Sequence, residues 1–312
     1  MATVLSEYAK LSTDALLQGI IETIIKDSPV LQKLPFIEIT GNALAYNREK
    51  SMTAAAFFAV DGTWTAPPAV TFDKLTAQLK ILGQDADIDN YVKATRSNIQ
   101  DIEATIIELT AKSVRHKFES TFIYGTTADY LGLTAEANAF DGIWKLLDTG
   151  VAGSQVVSMG GTGSALTLAK LDEIIDTVKG GKPDLLMMSR RTRRKLNALM
   201  RAAGLVEVGQ DEFGNFTSLY NGIPVAVNDW LLDTHTLAGG VETATTGGAN
   251  SVIYAFAFGE GAVCGVTGPG AIQVEPVGVL ESKDATRTRI KWYVALADFC
   301  LQKRGALIGV QD

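Results

Sequence analysis

Two cysteines and two histidines in 312 residues leave little material for several kinds of chemistry. Cys264 and Cys300 are too few for a secreted disulfide framework or a four-cysteine zinc site, and are read as core residues of a protein in a reducing cytoplasm. His116, inside a predicted helix, and His235, in a predicted loop, have no spacing that would pair them as base or metal ligand. Both are read as surface or interface residues. No apolar run approaches the ~20 residues that span a bilayer, and Met1-Ala2-Thr3-Val4 opens no basic-then-apolar leader, so neither membrane insertion nor export is expected. Internal repeats and low-complexity segments are missing too. Positive charge is short: 28 Lys+Arg against 35 Asp+Glu give a net charge of −7. That provides no chain-wide attraction to a phosphate backbone, and tight sequence-reading nucleic-acid binding is not expected.

Apolar residues are abundant. With 46% hydrophobic and 20% charged residues the chain can bury more core than one compact domain needs. A mean hydropathy of +0.13 suggests apolar surface left over for self-association, a well-packed monomer being the alternative.

The phosphate-loop signals are incomplete. Gly180-Gly181-Lys182 has Asp176 where the first glycine is required and Pro183 in place of Ser or Thr, so it reads as a helix stop. Gly160-Gly161-Thr162-Gly163 lacks a strong preceding strand and the full dinucleotide spacing, and reads as a flexible interdomain turn. Asp85, Asp87 and Asp89 alternate as in a calcium loop, but Asn90 replaces the sixth-position glycine and Arg96 the twelfth-position glutamate. They are read as solvated acids, and no metal or cofactor is expected.

Along the chain, Leu5, Tyr8, Ala9, Leu16, Ile20 and Ile24 have near-helical spacing up to the breaks at Ser28-Pro29 and Leu34-Pro35. Phe36–Tyr46 and the alternating Leu75–Ile81 read as two strands of a long ribbon, with turn formers Asp61-Gly62 and Pro67-Pro68 toward its tip. So long a hairpin is barely stable alone and needs something to lie against, a second copy being the obvious choice. Ser97 with Gln100 opens a predicted helix over 98–124, striped by Ile99, Ile102, Ile106, Leu109, Val114, Phe118 and Phe122 and closed by Gly125. Predicted elements then alternate: a helix over 168–179, a buried strand 184–188, a helix 190–203 capped by Ser189 and Gly204, and a strand 223–227. The remainder is strand-rich: 252–258, 272–277 and 286–294. In the last, Arg287, Arg289 and Lys291 share one face and Ile290, Trp292 and Val294 the other. Arg190, Arg191, Arg193, Arg194 and Lys195 make the one dense basic cluster. Spread around a helix, they suit contacts with carboxylates of other subunits better than a phosphate track.

Taken in order, these pieces resemble the HK97-fold major capsid proteins of tailed bacteriophages. The local likeness lies in Phe140-Asp141-Gly142-Ile143, in 183–192, in Leu219-Tyr220-Asn221-Gly222-Ile223-Pro224-Val225, and in 287–294 followed by 305–310. The resemblance implies an α+β fold: an N-terminal arm (1–35), an extended loop (36–93), a peripheral domain with a long spine helix (94–155), an axial domain (156–271) and returning peripheral strands (272–312). It implies a shell of hexamers and pentamers, not an enzyme, assembled in a host cytoplasm into the virion capsid. Its partners would be scaffolding, portal and decoration proteins, and packaged double-stranded DNA neutralised by counterions. The candidate inter-subunit residues are Arg48, Glu49, Lys50, Phe57, Phe58, Trp64, Arg190, Arg191, Arg193 and Arg194. Arg115 and Lys117 are the candidates for facing interior phosphate. Some relatives weld subunits by a lysine–asparagine bond. Lys50 and Lys74 lie in the right region, but no partner asparagine or assisting glutamate matches, so that chemistry is not carried over. Only some thirty-five residues precede the loop, which fits a separate or already removed scaffold. The rival readings are an encapsulin-type compartment, a tail or decoration protein, and a cytoplasmic oligomeric enzyme.

Overall fold

The structure is a computed structural model that describes residues 30–51, 55–64, 70–96, 102–150, 153, 155–204, 207–210 and 216–311. The expected N-terminal helix and the Ser97 capping box lie outside them. After one helical turn, α1 (Val30–Lys33), come β1 (Phe36–Glu38), β2 (Ala43–Ser51), β3 (Thr71–Gln78) and β4 (Lys80–Asp89). Helices α2 (Asn90–Arg96), α3 (Ile102–Tyr124) and α4 (Ile143–Leu146) follow. Next are β5 (Val156–Ser158), β6 (Ser164–Ala165), α5 (Leu168–Thr177), β7 (Leu185–Met188) and α6 (Arg190–Ala203). Then come β8 (Glu207–Gln210), β9 (Phe216–Tyr220), β10 (Ile223–Val227), β11 (Thr236–Ala238) and β12 (Val241–Thr243). The chain closes with β13 (Ser251–Phe256), β14 (Val263–Val279), β15 (Ala285–Asp298) and β16 (Arg304–Gln311).

Two sheets make the body. A four-stranded sheet runs β1-β14-β15-β4, and an eight-stranded sheet runs β5-β16-β13-β7-β10-β9-β8 with β6 also on β16. The spine helix α3, roughly 34 Å long at 1.5 Å per residue, ties them together. Its buried Phe118 packs on Phe36, Phe122, Phe140 and Trp292, and Phe122 reaches Phe256 of the other sheet. Only its C-terminal half is core: Val114, Phe118 and Phe122 are buried, whereas Leu109 is 41% exposed. The eight-stranded sheet is covered on both faces. Met187, Val252, Tyr254, Phe256 and Ile308 meet the α3–α4 side, while Leu186, Met188, Ile253, Ala255 and Leu307 meet α5 and α6. That double burial explains why Leu185-Leu186-Met187-Met188 is apolar at every position.

Local signals of the chain are realised by identifiable contacts. Ser189 Oγ accepts from Thr192 N at 3.2 Å, and Gly204 closes α6 at φ +70°. Gly125 ends α3 where the chain leaves no room for a side chain. A Cβ there would stand 2.5 Å from the Phe140 and Thr121 carbonyl oxygens, because the Phe140–Ile143 segment folds back against the helix end. Gly142 N donates to Gly125 O at 2.8 Å, backbone on backbone.

Three expectations of organisation are corrected. The predicted excursion over 36–93 is not one appendage: β1 pairs with β14, and β4 pairs with β15 along ten residues, so only β2 and β3 form the ribbon. The boundary placed before residue 272 falls inside β14, and β16 belongs to the eight-stranded sheet. The glycine-rich 160–163 turn joins β5 to β6, both partners of β16, and so lies within one sheet and not between domains. In each case the deciding partner strand lies far away in sequence.

Candidate assembly surfaces

β2 and β3 pair in antiparallel register from Ala43↔Gln78 to Ser51↔Thr71. One face of the ribbon root packs on its own body: Leu44, Tyr46 and Leu79 join buried Ala77, Cys264, Val266, Ala295 and Ala297. Tyr46 lies 4.6 Å from Phe299, and its Oη accepts from Asp298 N at 3.2 Å. The candidate Arg48 stands 3.6 Å from Asp298 Oδ2. Behind it, fully buried Arg304 places Nη1 2.6 Å from the same oxygen and donates from Nη2 to Leu146 O at 2.8 Å. Burial pushes the Asp298 carboxyl up, opposed by Arg304 and Arg48. Burial pushes the Arg304 guanidinium down, opposed by Asp298. Local sequence carried no signal for this cluster, which joins residues some 250 positions apart.

The outer ribbon is different. Phe57, Val60, Trp64 and Phe72 are 109%, 95%, 79% and 66% exposed. Phe58 stacks on Trp64 at 4.3 Å across a turn in which Asp61 has φ +66° and Gly62 N donates to Ala59 O. Glu49 is exposed. The tip is thus pre-shaped by one aromatic pair and presents the other aromatics to the surroundings. Beyond its bulge at 268–271, β14 likewise leaves Ile272, Val274, Val277 and Val279 more than half exposed, on a strand whose pairing with β1 has ended.

The face of the four-stranded sheet away from α3 carries an open trough of about 670 Å³, with Ile81, Tyr293 and a ladder of charges along it. Arg287 grips Asp87 through Nε–Oδ1 (2.5 Å) and Nη2–Oδ2 (2.7 Å), Arg289 grips Asp85 (2.7 and 2.9 Å), and Lys291 meets Glu275 at 2.7 Å. Asp89 instead opens α2, its Oδ1 accepting from Tyr91 N at 2.8 Å. The reading of these aspartates as solvated acids is therefore corrected: β15 supplies partners to Asp85 and Asp87 from two hundred residues away, and Asp89 caps the helix that follows it. Hydrogen bonds from Arg289 and Arg287 hold the Asp85 and Asp87 carboxyls below the ordinary carboxylate value, against the effect of burial. Their contribution to stability is complete above that ordinary value, near pH 4, and lost as pH falls through the lower folded values. The D85N/D87N variant is expected to show a flatter fall of Tm below about pH 4 than the unmodified chain. Parallel curves in a calorimetric pH series would contradict the assignment.

Other candidates are bound within the chain. Arg190 forks onto Asp229 (2.5 and 2.7 Å), and Arg191 lies 3.7 Å from Asp233 and donates to Ala249 O. Arg193 and Arg194 are exposed. Arg115 pairs with buried Glu119 at 3.1 Å, and Glu119 also accepts from Trp230 Nε1 at 3.2 Å. Lys117 pairs with Glu136 at 2.6 Å. His235 is corrected from surface to core. Nδ1 lies 2.8 Å from Glu242 Oε1 and Nε2 lies 2.9 Å from Tyr124 Oη, while Glu242 Oε2 accepts from Gly309 N at 2.7 Å. With both His235 and Glu242 at 0% exposure, this chain of groups ties the end of α3 to β12 and β16.

The architecture is shared with solved shells. The holo-SrpI encapsulin complex from Synechococcus elongatus PCC 7942 matches with a TM-score of 0.68 at 17% identity, over 100% of this chain and 97% of that one. The Mycobacterium phage Ogopogo structure matches at 0.63 and 12%, covering 98% and 99%. The capsid of Myoviridae phage XM1 matches at 0.61 and 14%, covering 99% of each. No curated protein sequence matches the chain. At these identities the structures show the HK97-type fold, while a sequence profile described as SU10 major capsid protein matches residues 7–238. A match over that much of the chain, on this fold, establishes that the protein belongs to the SU10 major capsid protein family and builds a shell.

Proposed function

We propose that the chain closes, as hexamers and pentamers, into the icosahedral shell around the double-stranded DNA of a tailed phage, its ribbon tip lying over a neighbouring subunit. The observation that carries this reading is the ribbon: its root is fixed to its own body, while Phe57, Val60 and Trp64 project uncovered. Contiguous apolar surface of this kind marks a contact site. The β14 aliphatics offer a second surface that one copy leaves open. Heterologous contacts of this kind close into rings. The −7 net charge suits a wall whose contents are neutralised by counterions and not gripped. Assembly in a host cytoplasm, with scaffolding and portal proteins as partners, belongs to the same reading.

Electron microscopy of the full chain, expressed alone and with its genomic neighbours, tests it. Closed shells that retain nuclease-protected DNA in the native particle are expected. A discrete small oligomer with measurable turnover would overturn it, and native shells holding a protein cargo instead of DNA would favour a compartment.

A further inference from the structure

Among the described residues, the large apolar side chains left exposed gather chiefly in two places: the outer ribbon, with Phe57, Val60 and Trp64 at its tip, and the outer half of β14. The second set forms a shelf. Ile272, Val274 and Val279 stand opposite Trp292, Ile290 and Thr286 of β15, and so share the face on which Trp292 and Val294 pack under α3. But α3 lies over β4 and β15, and β1 leaves the β14 edge after Thr267, so among the described residues none of the same copy covers the shelf.

Tip and shelf lie at opposite ends of one sheet. The ribbon root packs on the other face, around Val266 and Ala295, and the ribbon then runs toward Asp298, which Tyr46 and Arg48 meet. The shelf occupies the far end of β14, beside the start of β15. From Cys264 to Val279 the strand covers roughly 50 Å at ~3.3 Å per residue, and the ribbon leaves in the opposite direction. A subunit's tip therefore does not reach its own shelf.

We infer that the β14 shelf of one copy receives the ribbon tip of the next. The inference rests on the shell reading and names the surface on which the ribbon lands. Unlike surfaces at opposite ends of one sheet make a head-to-tail contact, the type that closes into a ring. Three other placements fit less well. Among the described residues of α3, Leu109 is the one exposed large aliphatic. The trough is lined by ion pairs already made within the chain, which an aromatic tip would desolvate. Pairing two β14 edges is obstructed by Pro276, which has no N–H, and by the register shifts on either side of 272–276. The shelf offers branched aliphatics to the rings and no charge to strip of water.

Cross-linking in the full chain tests the contact. Val60→Cys with Val274→Cys leaves the tip aromatics in place. Treated with a short bis-maleimide after assembly, this variant is expected to give a ladder running beyond dimers. Thiols held together by the contact should yield about tenfold or more linked product than either single-cysteine variant, the singles measuring any background from Cys264 and Cys300. Mixed shells of the two single variants carry the same thiols on different copies and should give linked dimers. Dimers from Val274→Cys alone would mean that two shelves face each other. A ladder only when Ile81→Cys or Leu109→Cys replaces Val274→Cys would move the landing site to the trough or to α3. Either result overturns the inference, as do shells that carry both thiols and give no linked product. If the unmodified chain forms no shells, the shell reading fails; if shells form without the tip-to-shelf link, only this contact fails.

Discussion

Replacing Phe57 and Trp64 together by serine is expected to abolish shell formation while leaving the Tm of the folded chain unchanged. Both side chains are exposed in the single subunit, so neither contributes to its core. What they lose is a partner. Truncating a large aromatic anchor at a protein–protein contact typically costs about 2 kcal/mol or more, which is roughly a thirty-fold weaker association per contact. In a closed shell that factor recurs at every ribbon, so a modest loss in each contact becomes an all-or-none loss of particles. Sedimentation velocity reads the first half of the prediction and calorimetry the second. Wild-type particle yield would remove the tip from the assembly mechanism, and a Tm lowered by several degrees would mean that the tip packs on its own body. Phe58→Ser should fall between the two, since its ring acts through the stack on Trp64.

The ribbon also shows where sequence stops being informative. Alternation in Leu75–Ile81 and the Asp61-Gly62 turn located the strands and the tip, because a strand's period and a turn's backbone demands are local. Nothing local distinguishes β3, which pairs inside the ribbon, from β4, which pairs with β15, so local pattern alone runs the excursion through both. The same limit applies to the aspartates. Asp85 and Asp87 carry no mark of their arginines, and the arginines, expected on a wet face, carry no mark of them. Only the register Asp85↔Arg289 and Asp87↔Arg287 brings them together. The α6 cluster is intermediate: its helix, cap and stop were legible, but Arg190 and Arg191 turn to Asp229 and Asp233 across the fold. A histidine in a loop is usually wet, whereas the loop of His235 is pinned under Trp144 and Tyr124, contacts that local sequence does not signal.

Asp298→Ala is expected to destabilise the folded chain by about 3–5 kcal/mol, the usual cost of leaving one member of a buried ion pair without its partner. Arg304 is fully buried, and Asp298 is the carboxylate that compensates it. The remaining guanidinium could neither reach water nor shed its charge at neutral pH. Arg48→Ala should cost far less, because Arg48 is 3.6 Å away and its side chain is 22% exposed. A double change to apolar residues, Asp298→Leu with Arg304→Met, should recover most of the loss, since no charge is then buried. Urea denaturation of the unassembled chain orders the three variants, and equal small losses for Asp298→Ala and Arg48→Ala would sink the argument. The cluster joins Asp298 at the end of β15, Arg304 at the start of β16 and Arg48 of β2, so it couples both sheets to the ribbon root. If Arg48 is the reversible member of the set, its loss should raise hydrogen exchange in β2 and β3 while leaving β15 and β16 protected. Loss of Asp298 should expose all four strands together.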